Sequence, residues 1–207
     1  MIPQARTVNE RTFRPKSLVG NIDFLWAGLV KQPQTGAFFP SQRFLIAKMI
    51  APIPETYGGL ILELGAGNGS LTLELAERCP QARILACEIN PTLALASRRN
   101  LLRAGFAHRV EVLSDSAENL LPRLSTLGIK PPEYIVSGIP LGNFGKKRTL
   151  SLLDLISRAI SSEGLYIQFQ YSLLDRKKIQ ARFPNLRIVP VLLNFPPAVV
   201  YYARRRN

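Results

Sequence analysis

The chain has 207 residues, enough for one sizeable α/β core and a short extension but too few for two enzymatic domains. Hydrophobic residues make up 46% of it, which excludes a disordered polymer, and a formal net charge of +13 points to anionic partners such as nucleic acid or an anionic membrane surface. That charge is uneven: residues 1–54 carry 7 Lys/Arg against 2 Asp/Glu, residues 55–133 carry 8 against 9, and residues 134–207 carry 12 against 3.

The opening "MIPQARTVNERTFRPKSLVG" lacks the apolar core of a signal peptide. No run in the chain reaches the roughly 18 apolar residues that span a bilayer. Any meeting with a membrane is therefore expected from the cytoplasmic side. Residues 13–31 set Leu18, Ile22, Leu25, Trp26 and Leu29 at helical spacing among Arg11, Arg14, Lys16 and Lys31. Two readings stand for this segment, an interfacial helix and a lid packed on the domain. A second helix is expected over Ser41–Ile50, with Pro40 and Ser41 as its start. The stretch "APIPETYGG" then leads into the first strand, which divides the chain into a basic helical extension, 1–54, and an α/β domain, 55–207.

From residue 60 onward, short apolar runs alternate with longer amphipathic ones, the order of a βαβ architecture. Strands are expected at Leu60–Leu64, Arg83–Glu88, Val110–Leu113, Tyr134–Ser137, Leu165–Tyr171, Leu186–Leu193 and Val199–Arg204. Helices are expected at Ser70–Cys79, Pro91–Arg103, Thr149–Ser161 and Asp175–Phe183. The last two strands follow one another across "NFPPA" without a helix and so form an antiparallel pair. The fold class is α/β: a mostly parallel, Rossmann-like, seven-stranded sheet with helices on both faces and an antiparallel strand near one edge. Cys79 and Cys87 lie eight apart with no histidine between them, neither a metal spacing nor a redox pair, and read as free buried thiols.

The most informative run is "LILELGAGNGSLTLELAE". An apolar strand ends in Glu63 and Leu64, glycines follow at 65, 67 and 69, and a helix opens at once. Glycines in such a turn let backbone come close to a ligand, and the helix start offers free N–H groups. Only Asn68 separates the last two glycines, where a dinucleotide fingerprint needs two residues. Glu-x-Gly-x-Gly-x-Gly instead resembles motif I of the Rossmann-like, class I S-adenosylmethionine methyltransferases. That resemblance implies S-adenosylmethionine as cofactor, with Glu88 of "ILACEINP" on the ribose hydroxyls and Asp115 of "LSDSAENL" on the adenine amine.

Methyl transfer from a sulfonium is a displacement, so positioning dominates and a neutral amine needs no strong base. The sole histidine, His108, lies in a loop before the third strand, and no metal site is evident, which favours a nitrogen acceptor. Adenine-directed enzymes carry an amide or carboxylate and an adjacent aromatic in the turn after the fourth strand. Here that turn reads Ser137-Gly138-Ile139-Pro140-Leu141, with Asn143 and Phe144 further on.

From Phe24 to Tyr201 the chain resembles the bacterial phospholipid N-methyltransferases, which convert phosphatidylethanolamine to phosphatidylcholine. "QTGAFFPSQRFLIAKM" is similar to their cofactor-covering Gly-Ala-x-x-Pro-Ser-Ser segment, with Gln42 in place of the second serine. "SGIPLGNF" resembles their Ser-Gly-Leu-Pro-Leu turn, "YIQFQY" their Gln-Phe-Thr-Tyr, and "NFPPAVVY" their Asn-x-Pro-Pro-Ala ending. The resemblance implies cofactor contacts at Glu63, Gly65, Gly67, Gly69, Glu88, Ile89, Asp115, Ser116, Ser137 and Ser41. It implies Ser137 and Ile139 near the reacting methyl, and Tyr171 either beside the amine or capping the core.

Lys146, Lys147, Arg148 and Arg182 are candidates for the lipid phosphate, and Trp26 for the membrane. The implied enzyme is monomeric and cytoplasmic, peripheral at the inner face of the membrane, with a phospholipid substrate, an anionic membrane surface as partner and no metal. The alternatives are a ribosomal-RNA adenine dimethyltransferase, whose partner would be nucleic acid, and an ornithine-lipid or protein-lysine N-methyltransferase.

Overall fold

The computed structural model describes residues 40–205. The expected amphipathic segment 13–31, with Trp26, lies outside the described residues, as does the side chain of Ser41. Seven strands, β1 (Leu60–Leu64), β2 (Arg83–Cys87), β3 (Val110–Leu113), β4 (Tyr134–Ser137), β5 (Leu165–Gln170), β6 (Asn185–Val191) and β7 (Ala198–Arg204), form one sheet in the order β3-β2-β1-β4-β5-β7-β6. All pairs are parallel except β5 with β7 and β6 with β7.

Helices cover both faces, as the apolar strands require. One face, with Ile61, Ile84, Val136 and Ile167, packs against α1 (Pro40–Ile50), α2 (Ser70–Arg78) and α3 (Pro91–Arg103). The other, with Leu62, Leu64, Leu85 and Ile135, packs against α4 (Ala117–Arg123), α5 (Lys146–Ala159) and α6 (Arg176–Gln180). Leu45, Ile46 and Met49 of α1 and Ile53 beyond it belong to the same core as the strands. No helix among the described residues is long and apolar enough to cross a membrane.

Local chemistry accounts for the helix starts. The Asn90 side chain accepts from the backbone N–H of Thr92 (2.9 Å) and Leu93 (3.3 Å), with Pro91 pre-set in the first turn of α3. Ser116 caps α4 by accepting from Asn119 N at 3.1 Å. That short helix was not expected; it holds Pro122 in its last turn, and proline reads as a break in the sequence. Helix α5 opens at Lys146, three residues before the expected Thr149, because Gly145 supplies an extended N-cap. The Thr149 hydroxyl bonds back to the Gly145 carbonyl at 3.3 Å, a hydrogen bond inside the helix rather than a cap. The β6–β7 ladder closes at Val191 opposite Ala198, so residues 192–197 are a loop and not the strand end expected up to Leu193. Helix α6 is likewise shorter than the expected Asp175–Phe183.

Candidate functional site

Strand order reverses beside β1: β2 lies on one side and β4 on the other, so a crevice opens at their carboxyl ends. The glycine turn after β1 and the Ser137–Leu141 turn after β4 meet there. Gly138 N donates to Leu64 O at 2.9 Å. A Cβ on Gly138 would come within 3.0 Å of Gly65 O, and one on Gly65, whose φ is +80°, within 3.2 Å of the Ile139 side chain. Both positions favour glycine, Gly138 because a Cβ would press on a backbone oxygen and Gly65 because its positive φ strains any L side chain. Gly67 differs: its φ is +57° and a Cβ would meet nothing within 4 Å, so the turn presents backbone to open space there.

Two carboxylates define the floor. Glu88, just past β2, accepts from Gly67 N at 2.8 Å through one oxygen and from Asn90 N at 2.8 Å through the other. It is held in place yet keeps lone pairs for hydroxyl donors. Glu63 is fully buried, and neither of its oxygens has a hydrogen-bond partner. Burial raises its pKa from 4.5 to about 7; Thr72 lowers it in part and Glu88 adds to the rise. The Thr72 hydroxyl lies nearby but makes no hydrogen bond of proper geometry, since its own oxygen is also without a partner.

A buried acid with neither oxygen hydrogen-bonded is an unmet electrostatic demand, and S-adenosylmethionine carries an ammonium and a sulfonium. The open backbone at Gly67, the oriented Glu88 and the empty-handed Glu63 together fit that cofactor. Ile89 is 68% exposed beside Glu88, an apolar surface on the same rim. Asp115 is already engaged: it accepts from Ser116 N (2.8 Å) and the Asn119 amide (3.0 Å), and it pairs with Arg123 at 3.1 Å. The Ser116 hydroxyl is used as the α4 cap.

On the β4 side of the crevice, Ser137 is fully buried, and its hydroxyl accepts from Ile139 N at 3.2 Å. The Ile139 carbonyl accepts from both Gln168 Nε2 and Gln170 Nε2, each at 3.0 Å. These two glutamines of β5 clamp the turn. Tyr171 follows β5 and packs edge-to-face on Phe169 at 5.7 Å. Burial pushes its pKa up to about 12, against a smaller effect from the Asn194 side chain on its hydroxyl, so it stays a neutral phenol. Asn194 itself is buried; its amide donates to Pro196 O at 2.7 Å while its oxygen has no partner. Gln168 and Gln170 stand in the "YIQFQY" run and Asn194 in the "NFPPAVVY" run that carry the family resemblance, but the sequence gives none of the three an individual contact.

The basic candidates separate. Lys146 and Lys147 are exposed in the first turn of α5, a turn without acidic residues. Arg148 is paired with Glu118 at 2.8 Å and lies over the Phe144 ring at 3.9 Å. Arg182 is not brought to the crevice. It precedes β6, at the opposite end of the strands, and grips both oxygens of Asp154, whose pKa its guanidinium lowers. Its neighbour Phe183 stacks on Tyr166 near the start of β5. A cavity of about 450 Å³ lined by Lys48, Asn185, Arg187 and Arg204 also opens at that far end, away from the crevice. Among the described residues no cluster of histidine, cysteine or carboxylate side chains suits a metal ion. Burial pushes the Cys87 thiol up to about 12, leaving it unreactive.

The family description "Methyltransferase domain" matches residues 61–164. An ornithine lipid N-methyltransferase from Singulisphaera acidiphila is 28% identical over 80% of this chain and 85% of its own length. A tRNA1(Val) (adenine(37)-N6)-methyltransferase from Pedobacter heparinus is 38% identical over 64% of this chain, which spans 61% of that protein. The solved structure of human methyltransferase-like protein 13 in complex with SAH superposes with a TM-score of 0.60 at 16% identity, over 82% of this chain and 83% of that one, a likeness of fold.

Proposed function

Because the chain belongs to the methyltransferase-domain family and is an S-adenosylmethionine-dependent methyltransferase, we propose that its acceptor is the amine of a phospholipid head group. That acceptor is phosphatidylethanolamine and its partly methylated forms, met at the inner surface of a membrane. When bound, S-adenosylmethionine supplies a methyl on a positive sulfur, which passes to a nitrogen lone pair as the sulfur leaves as a neutral thioether. Glu63 would then answer a cationic part of the cofactor, Glu88 would hold the ribose hydroxyls, and Ile89 would line the base.

One observation carries the reading: the turn after β4, Ser137–Leu141, has no carboxylate or amide side chain, and its Ser137 hydroxyl and Ile139 carbonyl are already hydrogen-bonded. The nitrogen of adenine is delocalised into its ring and gains a usable lone pair only when its hydrogens are held by acceptors. Here the Ser137 hydroxyl is taken by Ile139 N, and the Ile139 carbonyl by Gln168 and Gln170. An alkyl amine has a localised lone pair and asks only to be neutral. Its ammonium titrates near lysine, about 10.4, so the site must favour deprotonation, which desolvation and nearby cations both do. Lys146 and Lys147 at the start of α5 supply such cations and suit the lipid phosphate, with the helix N-terminus behind them. Phe169 and Tyr171 offer aromatic faces to an ammonium that gains methyls. The Asn194 side chain reaches the Tyr171 hydroxyl and helps to hold that ring.

The relative acting on ornithine lipid, aligned over 80% of the chain, supports a lipid amine. A second reading, an RNA adenine N6-methyltransferase, draws on the 38% identity to the tRNA enzyme and on the basic carboxyl-terminal third. Purified protein with labelled cofactor, offered in parallel to phosphatidylethanolamine vesicles, ornithine-lipid vesicles, and unmodified tRNA and ribosomal RNA, separates them. Label in phosphatidylethanolamine is expected; label in RNA alone would sink the lipid reading.

A further inference from the structure

Two loops rise at the carboxyl ends of β5 and β6, the same end of the sheet as the glycine turn. In the first, Leu173 and Leu174 are exposed, Leu174 by 77%. In the second, Leu192, Leu193 and Phe195 are exposed by 75%, 68% and 88%. These are not frayed tips. Asn194 sits between the exposed residues yet is buried, and its amide holds Pro196 O at 2.7 Å. The Asn194 side chain meets the Tyr171 hydroxyl, which ties the second loop to the root of the first, and Tyr201 donates to Ser172 O at 3.1 Å. Five large apolar side chains are thereby turned outward on one braced rim, and large exposed apolar patches mark interaction surfaces.

The surroundings of that rim are cationic. Arg176 and Lys177 are exposed directly after the first loop, and Lys146 and Lys147 follow the β4 turn. The turn abuts the first loop, since a Cβ on Gly142 would lie 3.7 Å from Asp175 Oδ2. Among the described residues none of these four cations is in an ion pair, unlike Lys178, which pairs with Asp175. No Asp or Glu follows Asp175 in the sequence.

We propose that the loops 171–175 and 192–197 are a membrane-docking rim that inserts into a bilayer carrying anionic lipid. This rests on the lipid reading above and adds where the bilayer sits. Leucines beside four unpaired cations have the composition of an interfacial anchor, the apolar tips entering the acyl boundary while lysine and arginine meet head groups. A second copy laid on the same rim would bring its four cations against their own counterparts. Single-stranded RNA stacks on exposed aromatic faces, and of the five exposed large apolar side chains on this rim only Phe195 is aromatic. Docked this way, the rim brings head groups to Tyr171 and Asn194 without lifting a lipid out of its leaflet.

The test labels Leu193→Cys with an environment-sensitive fluorophore; the two native cysteines are buried and do not compete. Vesicles of phosphatidylethanolamine with phosphatidylglycerol are expected to shift its emission to the blue, and phosphatidylcholine vesicles to shift it less. Emission that is blue without vesicles and unchanged by them would overturn the proposal, because protein then covers the rim. In flotation assays the variants Leu173→Ser/Leu174→Ser and Leu192→Ser/Leu193→Ser are expected to bind the anionic vesicles about tenfold more weakly. They should keep the wild-type unfolding temperature and cofactor affinity.

Variants that float like the wild type overturn the rim while leaving lipid methylation standing if label still reaches phosphatidylethanolamine. The blue shift and the weakened flotation of the variants, together with label absent from every lipid, uphold the rim and refute the substrate.

Discussion

The substitution Glu63→Gln isolates the most unusual group in the crevice. Its carboxyl is buried without a partner and titrates at about 7 instead of 4.5. Between those values the native state binds more protons than the unfolded chain, so stability falls as pH rises through 7. Relative to its value at pH 5, wild-type stability at pH 8 should drop by roughly 2–3 kcal/mol from this one group. The glutamine side chain of the variant carries no charge at either pH, and the cost of burying its amide is the same at both. Without cofactor, the variant should therefore gain about 5–10 °C on the wild type between pH 5 and pH 8.

Cofactor binding reverses the preference. A cation seated on Glu63 lowers its pKa, so wild-type binding near pH 6.5 should release a proton, and the variant should release none and bind at least about tenfold more weakly. Thermal melts at the two pH values, and calorimetry in buffers of different ionisation enthalpy, read both effects. Melts of the two proteins that stay parallel from pH 5 to pH 8, or wild-type binding with no proton exchange, would refute the reasoning.

Three further outcomes are expected. Gly69→Ala forces a Cβ to within 2.5 Å of Ser97 Oγ at a φ of +88°, and should lower both the melting temperature and cofactor affinity, whereas Gly67→Ala, with open space around it, should cost only about 1–2 kcal/mol of backbone strain. Lys146→Ala/Lys147→Ala should raise the KM for lipid in anionic vesicles severalfold, less so at high salt, with cofactor affinity unchanged in calorimetry. Tyr171→Phe should slow transfer without altering the shape of the pH–rate profile up to pH 9, because the phenol stays protonated well beyond that; loss of an alkaline limb would identify Tyr171 as a base instead.

The sheet was legible in the sequence because its strands are short apolar runs closed by glycine, proline or a charged turn. β1, β3 and β4 begin and end where those signals stand. Glu63, the three glycines and Glu88 were legible for the same reason: the motif is local and its geometry is backbone geometry. What was hidden is tertiary. Nothing near Arg148 announces Glu118, 30 residues away, and nothing near Arg182 announces Asp154, 28 residues away. Both arginines read as free cations in the sequence and are paired in the fold. Gln168 and Gln170 look like polar interruptions in an apolar strand until Ile139, 29 and 31 residues earlier, presents its carbonyl to both. The outward leucines at 192 and 193 read as strand, and only the end of the β6–β7 ladder at Val191 turns them into a loop.

The central claim is the lipid amine. Its most direct measurement is expression of the protein in a bacterial host that makes phosphatidylethanolamine but no phosphatidylcholine, followed by mass spectrometry of the extracted lipids and of nucleosides from total RNA. The account predicts mono-, di- and trimethylated phosphatidylethanolamine, reduced by Glu63→Gln, with RNA unchanged. An unaltered lipid profile accompanied by new N6-methylated adenosine in tRNA or ribosomal RNA would contradict it.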